Sequence, residues 1–105
     1  MTSKATIEFN YKKAKAQADK LDQLAGELSK LSSSEFSAAM QNVSSNWKGE
    51  NASAYLAKGA RLQGKMETTA KSLRAVASDI RAAAKRVRDA DLKALEIAQS
   101  RLYRN

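Results

Sequence analysis

From Ala52 to Ile97 the chain carries an apolar or small residue at alternating steps of three and four without a slip: Ala52, Tyr55, Gly59, Leu62, Met66, Thr69, Leu73, Val76, Ile80, Ala83, Val87, Ala90, Ala94 and Ile97. Successive residues of a strand point to opposite faces, so only a helix gathers this spacing onto one side. The run predicts one long helix over about 51–101, with this stripe as its packing seam.

The first half repeats the pattern less regularly. Tyr11, Ala14, Ala18, Leu21, Ala25 and Leu28 follow the same steps, and Leu24 and Leu31 widen the stripe, which predicts a helix over about 11–45. Thr6–Phe9 reads as an extended lead-in, with Asn10 as the cap, because its side-chain oxygen can accept from a free first-turn amide. Ser32-Ser33-Ser34-Glu35 interrupts the register: Phe36, Met40, Val43 and Trp47 resume the spacing shifted by one position, and Ser32 with Glu35 fits a capping box. A continuous helix with a local irregularity is expected there. Between the seams, about residues 46–50 form the turn, where Gly49 can take a left-handed backbone and Asn51 or Ser53 can cap the second helix. The expectation is all-α: an antiparallel two-helix hairpin occupying residues 1–105 as a single domain.

Composition supports long helices and removes much chemistry. There is no proline, and only four glycines. Cysteine and histidine are absent, which excludes disulfides, zinc-thiolate sites, cysteine nucleophiles and the commonest general base. No nucleophile–base pair, phosphate loop or metal cluster can be assembled, so neither an enzyme nor a cofactor nor a metal is expected. The amino-terminal residues lack the apolar core of a signal peptide, and no run approaches a membrane span, so stable membrane insertion is not expected.

The net charge of +8 is uneven, with one net positive charge in residues 1–46 and seven in residues 48–105. Lys71, Arg74, Ser78, Arg81, Lys85 and Arg88 form a basic row expected nearly opposite the seam. As a solvated face or a ridge meeting an acidic partner protein, the row needs no nucleic acid. It has no interleaved aromatics for base stacking, so no specific nucleic acid is expected, and a basic helical nucleic-acid-binding module is the alternative reading. Past Asp91, Leu92, Leu95 and Leu102 take over this outer row and read as a docking element for a partner.

A single alanine-rich seam buries little apolar area for the number of residues it orders, which favours burying a further face in a partner. Leu21, Leu24, Leu28 and Leu31 on the first helix, with Leu62, Leu73, Val76 and Ile80 on the second, are the seam residues for the hairpin or the dimer. Dimerisation would give a four-helix bundle.

Trp47-Lys48-Gly49, central in a chain of 105 residues and flanked by two seams, resembles the signature turn of the ESAT-6-like WXG family, and Ala52 and Tyr55 follow where that family often has small and aromatic residues. The resemblance covers nearly all of residues 7–98. It implies a helical hairpin that forms a homodimer, or pairs with a paralogous or effector helical partner, and works with a type VII secretion ATPase in virulence or interbacterial competition. It further implies a protein that is cytoplasmic before export and secreted folded without a cleaved signal peptide, or one that serves as targeting chaperone of a larger effector. The family's composite export signal combines the Trp-X-Gly turn, here Trp47 and Gly49, with an apolar, acidic, apolar, apolar pattern, here matched by Val87, Asp91, Ala94 and Ala98. Val87 stands where other members carry tyrosine.

Overall fold

The first helix begins earlier than its seam suggests. The computed structural model describes residues 3–103, and in it α1 spans Lys4–Lys30. Ser3 is the capping residue: its Oγ accepts from the Thr6 backbone N–H at 3.1 Å, and its carbonyl accepts from the Ile7 N–H at 3.0 Å. Thr6–Phe9 is therefore helical rather than extended, and Asn10 lies inside the helix instead of capping it. The extra turns gain the burial of Ile7, which is shielded almost completely.

The chain stays helical through the serine run by widening. Leu31–Phe36 is π-helical, and α2 continues over Ser37–Asn46. The expected capping box is not formed, because no helix starts at Ser32: its Oγ is buried and has no hydrogen-bond partner. Trp47 then leaves the helix in an extended conformation (φ −112°, ψ 138°), with its N–H donating to the Val43 carbonyl at 2.9 Å. Gly49 adopts φ +104°, and α3 runs unbroken over Glu50–Tyr103. The Gly49 carbonyl accepts from the Ser53 N–H at 3.2 Å, so Asn51 and Ser53 lie within the first turns of α3 rather than capping it. Among the described residues there is no strand.

Two compact units share these helices: Asp22–Arg74, and the chain up to Leu21 together with Ala75 onward. Within Asp22–Arg74 the pairs Ser29 with Arg74, Ser32 and Ser37 with Gln63, and Trp47 with Tyr55 run in opposite senses along the two strokes of the chain. Within the other unit, Tyr11 meets Arg88 and Asp19 meets Arg81, again antiparallel. The fold is an all-α, antiparallel helical hairpin.

The buried row is made of small residues: Ala18, Ala25 and Ser32 in the first half, Ala52, Ala70 and Ala77 on α3. On α3 half of the expected seam is kept, with Ala52, Gly59, Met66, Leu73 and Ile80 buried or half-buried, and the other half is displaced by one residue, for Leu56, Gln63, Ala70, Ala77 and Ala84 are buried or half-buried while Tyr55, Leu62 and Val76 are exposed. A three-four alternation cannot tell adjacent rows apart, and the small side chains take the contact because they let two backbones approach. Gly59 instead makes room for a side chain: Sδ and Cε of Met40, the flexible end of that residue, lie where a Cβ would stand.

Two glycines should respond oppositely to alanine. Nothing lies within 4 Å of a Cβ at Gly49, yet its φ of +104° is disfavoured for an L-residue, so Gly49→Ala should cost about 1–2 kcal/mol. Gly64 is helical with the same open surroundings, so Gly64→Ala should stabilise by about 0.5–1 kcal/mol. Urea unfolding followed by far-ultraviolet circular dichroism reads both. The same assay on Ser32→Ala should give a stability equal to or up to about 1 kcal/mol above the parent, because the hydroxyl it removes is buried without a partner; a loss of stability would mean that the hydroxyl makes a bond in solution.

Candidate interaction surface

Two flanks of opposite chemistry border the contact row. At about 100° per residue, the residue preceding a contact residue stands to one side of it. Because the paired helices run antiparallel, that side falls on the same flank for both. In Asp22–Arg74 these positions hold Leu24 before Ala25, Leu31 before Ser32 and Leu62 before Gln63. Leu24, Leu31 and Leu62 are 52%, 42% and 50% exposed, high values for leucine on a single flank. Leu28 and Leu73 are half-buried beside them. A groove of about 350 Å³ opens along this unit, walled by Phe36, Met40 and Val43 on one side and Tyr55, Gly59 and Leu62 on the other.

Trp47 lies within that unit, at the turn. Its ring centroid lies 5.9 Å from that of Tyr55 at a tilt of 46°, and both rings are more than half exposed. The pair is a rigid apolar surface with two polar tips, made possible by Gly49 turning the chain so that Trp47 and the first turns of α3 come together.

In the other unit the flank is apolar along α3. Val76 and Val87 are exposed, and Leu21 and Ile80 are half-buried. A second groove of about 350 Å³ is lined by Ile7, Asn10, Tyr11 and Ala14 on α1 and by Ile80, Val87, Arg88 and Asp91 on α3. Val87 and Asp91, one turn apart, thus share a wall of this groove; Ala94 is exposed and Ala98 half-buried on the following turns.

Polar residues fill the opposite flank, where the positions following the contact row hold Asp19, Lys71, Ser78 and Lys85. The basic row does not lie across the helix from the contact but adjoins it. Arg74, Arg81 and Arg88 each stand four residues after a contact alanine and lean across: Arg74 Nη2 donates to Ser29 Oγ at 3.4 Å, and Arg81 Nη2 pairs with Asp19 Oδ1 at 2.6 Å. The Arg88 guanidinium lies 4.1 Å from the Tyr11 ring centroid and is also bonded to Asp89, which pushes its pKa up. Sequence reasoning found the row but missed these three contacts; the seven-residue spacing of the arginines was the available signal. The same one-residue shift corrects the outer leucines: Leu92 and Leu95 continue the row of Arg88 and are half-buried, while Leu102 is 72% exposed.

Among the described residues no helix is long and apolar enough to cross a membrane, and no group of His, Cys, Asp or Glu is placed to hold a metal ion. What the arrangement offers is surface: an uncovered apolar flank, an aromatic pair at the turn and a polar flank closed within the chain.

No curated protein and no solved structure matches the chain. A family model described as proteins of 100 residues with WXG matches residues 6–92, which takes in the turn, all of Asp22–Arg74, part of the other unit and the Val87–Asp91 wall, and stops short of Ala94. With an antiparallel hairpin, Trp47 and Gly49 at its turn and a match over most of its length, the chain belongs to the WXG100 family of helical proteins associated with type VII secretion.

Proposed function

We propose that this chain pairs with a second helical hairpin through its apolar flank and is exported folded in that form, or, where the other hairpin is the targeting region of a larger effector, acts as its partner and chaperone. The observation that carries this reading is the flank of Asp22–Arg74, on which Leu24, Leu31 and Leu62 are left about half exposed by the chain's own packing. Covering a leucine stabilises by roughly 1.5–3 kcal/mol, so a partner laid along this flank recovers burial that the alanine row cannot supply. A four-helix bundle has the required geometry. A second copy presents the same flank and satisfies it isologously.

The exposed Trp47–Tyr55 pair, with Gly49, is the recognition element of the export signal in this reading, and Val87, Asp91, Ala94 and Ala98 are its second part, read by the secretion ATPase. A tilted, exposed aromatic pair has the character of an interface anchor, apolar over its faces. Leu102, with Leu92 and Leu95 behind it, adds apolar surface at the end of α3 for docking.

Two measurements test this. At micromolar concentration the unmodified protein, alone or with the helical region of its cognate effector, should sediment as a dimer, and Leu24→Lys with Leu62→Lys should weaken association at least about a hundredfold while leaving helicity unchanged. A monomer in both mixtures would end the pairing proposal. Separately, Trp47→Ala and Asp91→Ala should each abolish export, scored as secreted against cell-retained protein, with assembly intact; secretion at the parent level would reduce these residues to a structural role.

A further inference from the structure

One residue added to an α-helix turns everything after it by about 100°. The first half of this chain contains such a residue. Its contact row advances by seven from Tyr11 to Ala18, Ala25 and Ser32, and then by eight to Met40, which packs over Gly59. The π-helical turn Leu31–Phe36 absorbs the difference. Because of it, Phe36, Ala39 and Val43 fall on the same flank as Leu24, Leu28 and Leu31; in a regular helix of this sequence they would swing toward the flank that carries the basic row.

A π turn is a rare and poorly bonded geometry that needs support from outside itself. Here the support comes from α3. Gln63 Nε2 spends both of its hydrogens on the widened turn, donating to the Ser32 carbonyl at 2.7 Å and to Ser37 Oγ at 2.8 Å. Ser37 Oγ in turn donates to the Ser32 carbonyl at 3.2 Å. Gln63 stands in a row whose next members are Ala70, Ala77 and Ala84, and a long amide among alanines serves no packing need that a shorter side chain would not meet.

We propose that Gln63 is a positioning residue for the partner face: it pins the extra residue of the first helix within Leu31–Phe36 and so keeps the apolar flank continuous across the serine run. This rests on the reading of that flank as the partner face. The pin itself concerns one chain and is tested independently of any partner.

The experiment compares Gln63→Leu in two backgrounds, the full chain and a variant lacking Ser33, in which the row advances by seven throughout and no widened turn is required. Amide hydrogen exchange over Leu31–Phe36 reads the pin, and sedimentation reads self-association. In the full chain, Gln63→Leu should speed exchange of this segment on the order of tenfold, as expected for a lost buried hydrogen bond, and weaken self-association by a similar factor. In the Ser33-deleted chain it should change neither. Unchanged exchange in the full chain, or equal losses in both backgrounds, would overturn the proposal and leave Gln63 an ordinary packing residue. If the deletion variant does not fold, Ser37→Ala replaces it: its effect on exchange should vanish in the Gln63→Leu chain, and additive effects would overturn the pin. A parent protein that associates neither with itself nor with the helical region of its effector would refute the partner reading alone, since the exchange comparison still decides Gln63.

Discussion

The helices of this protein meet along small side chains, and the rest of the structure depends on that contact. Ala18, Ala25 and Ser32 in the first half and Ala52, Ala70 and Ala77 on α3 are shielded, while among the described residues the only larger apolar side chain that is nearly inaccessible is Ile7. A methyl group contributes about 0.8 kcal/mol of transfer free energy, far less than a leucine, so a row of alanines brings two backbones together without providing much hydrophobic stabilisation. Leu24, Leu31 and Leu62, which could provide it, are displaced to one flank of Asp22–Arg74. A chain built this way folds into a hairpin and keeps its main apolar surface on the outside, which is the property that a protein assembled with a helical partner needs.

The small-residue contact also makes register exacting. With no large side chains interlocking, a one-residue slip moves every contact by a quarter turn at little steric cost, and specificity has to come from elsewhere. The Met40 side chain seated over Gly59 is one contact that a slip would lose, although its flexible thioether end could move aside for a methyl group. The Gln63 bonds to Ser32 and Ser37 are another, and the left-handed Gly49, which determines where α3 starts, is a third. The three lie within Asp22–Arg74, the unit that contains the turn.

Much of this was legible in the sequence because periodicity survives burial. The two seams, the turn at Trp47–Gly49 and the shift by one position after Ser32 all read correctly, and the shift proved to be a π turn. Half of the row that makes the hairpin contact, Ala52, Gly59, Met66, Leu73 and Ile80, lies on the expected seam; the other half is displaced by one residue, because Tyr55, Leu62 and Val76 outrank Leu56, Gln63 and Ala70 in apolar strength. Hydropathy identifies the face that most prefers to leave water; here the chain's own second helix takes the face that permits closest approach. The same one-residue error placed the arginines opposite the contact and Leu92 and Leu95 outside it. Ser3 was passed over as a cap because Thr6–Phe9 is rich in residues that favour strands, and the local propensity yielded to the burial of Ile7. The surface reading of Trp47 needed the structure: a tryptophan beside a turn commonly packs between helix ends, and only the geometry places it beside Tyr55 with more than half of its area open.

The polar flank contributes in a different way. Exposed ion pairs and cation–π contacts are each worth on the order of 0–1 kcal/mol, so Arg81 with Asp19 and Arg88 over Tyr11 do not hold the hairpin together. Their identity is still informative. Arginine stands at the three positions that lean across the contact, while lysine stands at Lys71 and Lys85, which point into solvent. A guanidinium can bridge to a carboxylate or lie over a ring, whereas an ammonium retains its water, so the assignment matches side chain to task. The result is that one long side of each helix pair is covered by charged groups whose desolvation an apolar partner would have to offset, while the other side offers leucine and valine. In the proposed pairing, discrimination between the two sides would come from the cost of burying the wrong one as much as from attraction to the right one. A net charge of +8 is therefore compatible with the proposed pairing through apolar contact, since Leu24, Leu31 and Leu62 themselves carry no charge.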